Sequence, residues 1–131
     1  MYKIERKKTG YLLTFSGNMD RAEIERWLNE SKLALAKESA TAFGVIIDMR
    51  ELAPLPNDAQ EVMVEGQGLY KQKGMKRSAV IVANNVTAMQ FQRLAKESGI
   101  HQWERYLSAT TPDCNGKAVA WVKDGTDPDL T

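Results

Sequence analysis

The chain has 131 residues, which fits one domain of ordinary size. Its 18 basic and 17 acidic side chains leave a net charge of +1, arguing against the electrostatic footprint of a nucleic-acid binder. A single cysteine, Cys114, excludes an internal disulfide, and no apolar run reaches the ~20 residues that span a bilayer.

The elements follow in chain order. Residues 2–8 and 11–16 predict two short strands, with Thr9-Gly10 as the tight turn between them. The IERKK run reads as the solvated face of an edge strand, where lysines discourage edge-to-edge pairing. Asp20 caps a helix, answered by Glu23, and Ile24, Trp27, Leu28, Ala34 and Leu35 form its apolar face. Residues 44–49 are an unbroken apolar third strand ending in Asp48 and Arg50. Asn57 is expected to cap the next helix with Gln60 in reply. Its stripe is Ala59, Val62, Met63, Gly66, Leu69 and Tyr70, with Gly66 letting the helix approach the sheet.

Residues 78–83 form the fourth strand, and Asn84-Asn85 lie just beyond it. Thr87 with Gln90 predicts the cap of a helix that turns Phe91, Leu94 and Ala95 inward and stops at Gly99. Residues 103–107 suit a short edge strand. Thr111 and Pro112 suit the start of a last helix anchored by Ala118, Val119, Trp121 and Val122. The order is ββαβαβαβα: an α/β fold with a single-layer mixed β-sheet and helices packed on it, strands three to five parallel. One domain over residues 1–123 and a flexible tail over 124–131 are expected.

The chemistry is sparse. One histidine and one cysteine do not make a His/Cys metal site, and there is no phosphate loop or G-x-S-x-G elbow. No cofactor and no enzymatic activity are expected. His101 reads as a surface histidine and Cys114 as a small semi-buried residue, since nothing places an activating partner beside either. Asp48, Arg50, Asn84 and Asn85 collect at the carboxyl ends of two adjacent parallel strands. They read either as a polar crevice for a small ligand or as side chains that fix loops. Trp27 and Trp121 belong to the core. Trp103 is open to an interface role, and Met89 and Val64 fall off the buried faces as exposed anchors.

The segments GVIIDMREL, MKRSAVIVANN, TAMQFQRLAKESG, ERYLS and AVAWVKDG, in that order and with a helix after the first, cover most of the chain. In this arrangement it resembles the STAS domain, the SpoIIAA-like superfamily of bacterial anti-sigma factor antagonists. The resemblance implies a non-enzymatic, cytoplasmic module that binds another protein. It also implies that a Ser or Thr at the start of the helix after strand three is phosphorylated by a partner kinase, switching binding. This chain departs there: the matching start is Pro56-Asn57-Asp58-Ala59, and no Ser or Thr lies between Thr41 and Ser78. Asp58 reads as a phosphate mimic or as ordinary helix-dipole complementarity. The expected partner surface is Asn57, Asp58, Glu61, Val64 and Glu65. The alternative is a small-molecule or lipid-binding domain using the crevice at Asp48, Arg50, Asn84 and Asn85. A homodimer through the Trp103 edge is left open.

Overall fold

Two antiparallel strands, β1 (Tyr2–Lys7) and β2 (Gly10–Gly17), open the chain and pair from Tyr2 opposite Phe15 to Lys7 opposite Gly10. The computed structural model describes residues 1–130; Thr131, the last residue of the expected tail, lies outside them. Helix α1 (Arg21–Ala36) leads to β3 (Phe43–Leu52), α2 (Asn57–Lys73) to β4 (Met75–Val82), and α3 (Asn85–Ser98) with a 3-10 turn to β5 (Glu104–Ser108). Helix α4 (Cys114–Asp124) follows. The five strands lie in chain order, and β2 to β5 are parallel, as the helical crossovers require.

Strand alternation sorts the side chains onto two faces. Tyr11, Leu13, Phe15, Val45, Ile47, Met49 and Val80 point into the larger core, where α1, α2 and α3 supply Ile24, Trp27, Val62, Met63, Tyr70, Phe91 and Leu94. Ala79 and Leu107 point the other way and pack with Ala118, Trp121 and Val122 of α4. Helix α4 lies on β3, β4 and β5. The β1–β2 half of this second face therefore carries no helix.

Asp20 caps α1 as its pattern predicts, accepting from the Glu23 amide at 2.9 Å. Other helix starts differ from expectation. Pro56, not Asn57, is the N-cap of α2, and it has no side chain that can accept an amide proton. Gln60 turns inward instead: its Nε2 donates to the Leu55 carbonyl at 2.9 Å, and Gln90 Nε2 donates to the same oxygen at 3.1 Å. Asn84, not Thr87, caps α3; the Thr87 hydroxyl is buried and donates to the Leu52 carbonyl at the end of β3. Asp113, not Thr111, precedes α4, with φ at +54°. Val119 is no core anchor, since it remains 41% exposed.

Gly66 does allow a close approach, but to α1 and not to the sheet. A Cβ there would lie 2.2 Å from the Trp27 ring. That ring stacks on Tyr70 with centroids 5.8 Å apart and meets Phe15 edge-on at 5.3 Å. The missing methyl thus seats the largest side chain of the core. At the other end, Arg105 lies 4.3 Å above the Trp121 ring and holds Asp127 through Nε and Nη2, both at 3.0 Å.

Candidate functional site

The amino-terminal half of α2 presents Asn57, Asp58, Glu61 and Glu65 to solvent. Their spacing puts Asp58, Glu61 and Glu65 on one helix face, as the i, i+3 and i+7 rule requires. Val64 does not join them: it is half-buried and packs against the larger core. It stands on the side of α2 that carries Gln60 and Gln67, which reach Arg93 and Ser98 of α3.

Helix α1 runs beside this acidic row. Arg21 Nη1 donates to the Asp58 carbonyl at 3.0 Å and lies 3.5 Å from Glu61, and Lys32 lies 3.8 Å from Glu65. The glutamates are well exposed, Glu61 by 80% of its side chain, so these pairs hold little energy and leave the carboxylates free to exchange partners. Asp58 sits in the first turn of a helix that has no side-chain cap, which suits the positive end of its dipole. No serine or threonine hydroxyl is available on this loop or helix, and the Tyr70 hydroxyl is buried against Ser31 at 2.8 Å.

The surface continues onto α3. Arg93 reaches across to the Gln60 side-chain carbonyl and pairs with Glu97 at 3.2 Å. Between α2 and α3 lies an open cleft of about 490 Å³ bordered by Asn57, Glu61, Arg93 and Glu97. Val86 and Met89, 58% and 69% exposed, stand near the start of α3. Met89 is visible in the sequence as an off-face residue. Val86 and Arg93 are missed there; their signal is the spacing of 86, 89 and 93 along one outer face of α3.

The residues expected to form a crevice divide between two helices. Arg50 Nε donates to Asp48 Oδ1 at 3.0 Å, and its Nη2 reaches Asn115 of α4 at 3.3 Å. Asn84 Oδ1 instead accepts from the amides of Val86 and Thr87 at 2.8 and 3.2 Å. Asn85 is the exposed first residue of α3. Among the described residues no hydrogen bond or ion pair joins the first pair to the second.

His101 is exposed in the 3-10 turn before β5, and Cys114 is buried at the start of α4, where its Sγ lies 4.0 Å from the Ala109 carbonyl. Among the described residues no group of His, Cys, Asp and Glu is arranged to hold a metal ion, and no helix is long and apolar enough to cross a membrane. Trp103 is half-buried and packs against both cores, with the Lys71 ammonium 5.6 Å from its ring.

A buried carboxyl was not legible beforehand. Glu104, opposite Ser78 in the β4–β5 ladder, accepts from the Ser78 hydroxyl at 2.7 Å and the Tyr106 hydroxyl at 2.5 Å. Burial without a cation pushes its pKa up to about 7, the two hydroxyl donors pulling the other way. The available signal was a serine in an otherwise apolar strand beside a short strand with glutamate first.

No family model matches the sequence, and no curated protein matches it. Among solved structures, the chain is similar to the anti-sigma factor antagonist SpoIIAA in its unphosphorylated form. The TM-score is 0.56 at 13% identity, over 85% of this chain and 90% of that one. At that identity the likeness establishes the fold: the chain has the SpoIIAA-like architecture.

Proposed function

We propose that the protein is a non-enzymatic, STAS-like interaction module whose contact surface is the acidic amino-terminal half of α2, and that it lacks a Ser/Thr phosphorylation switch. The observation that carries this reading is the exposed row of Asn57, Asp58, Glu61 and Glu65 at the start of the helix after β3. The family resemblance assigns phosphorylation to this helix start, and the chain shares its fold with SpoIIAA, an anti-sigma factor antagonist, which supports the reading. Fixed carboxylates there offer a constant negative surface, suited to a partner with a basic patch. The module is read as residues 1–123 acting in the cytoplasm.

The test is comparative capture. Wild-type protein and the Asp58→Arg, Glu61→Arg variant, both verified as folded by circular dichroism, are used as bait at low and high salt. The expected result is a partner retained by wild type, released by salt and lost from the variant. The same partners on both baits would remove the surface from consideration. A small-molecule or lipid role for the crevice has less support, because Asp48 and Arg50 satisfy each other and Asn84 is engaged as a cap.

A further inference from the structure

The two faces of the sheet are covered unequally. Three helices close one face, whereas α4 covers only the β3–β5 part of the other. Between α4 and the bare β1–β2 half runs a groove of about 590 Å³. That lies within the roughly 300–1,000 Å³ of small-molecule sites. Its floor is Leu12 of β2 and Ile46 of β3, both half-buried, and its wall is the exposed Val119 of α4.

Charge at the rim decides what such a groove accepts. Asp48, which also lines the groove, lies 3.0 Å from Arg50, and Glu5 lies 3.5 Å from Lys7. Lys8, in the β1–β2 turn, and Lys123, in the last turn of α4, also line the groove and make no ion pair among the described residues. Two uncompensated ammonium groups beside an apolar floor favour a ligand with an anionic head and an apolar body. A nucleotide would lay polar ribose on Leu12 and Ile46. A second copy of the chain, docked isologously, would bring one lysine-rimmed groove against another.

We propose that this groove binds a single-chain fatty acid, its chain on Leu12, Ile46 and Val119 and its carboxylate between Lys8 and Lys123. The site lies on the opposite face from α2, so it stands apart from the docking surface proposed above.

Sodium decanoate, decanol and sodium acetate serve as probes in amide NMR titrations. They are run on wild type, on Lys8→Glu, Lys123→Glu, and on Lys37→Glu, Lys96→Glu, which makes the same charge change on the other face. The expected result is saturable decanoate binding that shifts the amides around Leu12, Ile46 and Val119. Affinity should fall at least tenfold in the groove variant and hold in the control. Decanol should bind at least tenfold more weakly, and acetate should not saturate. Equal decanoate affinity in all three proteins, or shifts centred away from the groove, would overturn the proposal. So would concentration-dependent broadening of the groove amides without probe, which identifies the face as a contact between copies.

Discussion

Glu104 shows how one side chain ties the fold to pH. Its carboxyl is buried, meets two hydroxyls and faces no cation, and its pKa rises from 4.5 to about 7. The folded state therefore holds a proton that the unfolded chain has released between these values. The stability this supplies is complete below about 4.5 and is lost as pH rises through about 7. Glu38 works oppositely: the Arg6 guanidinium, the Tyr11 hydroxyl and the Ala40 amide hold it down at about 2, so its contribution disappears only as pH falls towards that value. In denaturant titrations, wild-type stability should drop between pH 5 and 7.5, by up to about 1.4 kcal/mol per pH unit from this proton. Glu104→Gln, which keeps the shape and can keep both contacts if one hydroxyl turns to accept from the amide, should flatten that slope and be the more stable protein at pH 8. An unchanged slope in the variant would show that another group is responsible.

At the level of elements, the helices were legible from periodicity, but three of their starts were displaced. Asn57 and Thr87 have good capping chemistry, yet each stands where another demand prevails. The Thr87 hydroxyl is taken by the Leu52 carbonyl, and Gln60, the expected reply to Asn57, is taken by Leu55. Capping then falls to Asn84, whose side chain accepts from two amides, and to Pro56, whose side chain accepts from none. Local pattern cannot reveal this, because the competing acceptors are carbonyls on other segments. The same reason hid the partner of Gly66: the sequence marks a close approach, and only packing shows that Trp27 makes it. Asn84→Ala should cost about 1 kcal/mol in equilibrium unfolding, whereas Asn57→Ala should change stability by a few tenths at most. A larger loss at Asn57 would restore it as the cap.

For the whole molecule, the parallel direction of strands three to five followed from the helical crossovers. The face taken by α4 did not. Val80 and Ile81 are both buried, on opposite sides of β4, so an apolar run carries no mark of which helix covers which side. The candidate surface was legible only as a row on α2; its extension to Arg93 and Val86 depends on how α2 and α3 meet. The chain's last segment is joined to the body by the Arg105–Asp127 pair above Trp121. Asp127→Ala should lower the melting temperature slightly and should change Trp121 fluorescence. An unaltered melting curve and spectrum would mean that the pair adds nothing to the fold.

The sequential strand order has a further consequence, for how the fold is built. No strand is inserted between two earlier ones, so the sheet can be assembled strand by strand in chain order. Each new strand finds its neighbour already in place, one crossover back, which keeps loop-closure costs modest. Until β5 arrives, the side of β4 that it will cover is an open edge, the arrangement most prone to mispairing. Ser78 lies on that strand, opposite the place Glu104 will take. In that order of assembly the hydrogen bond between them would be among the last to form, made as the open edge is covered.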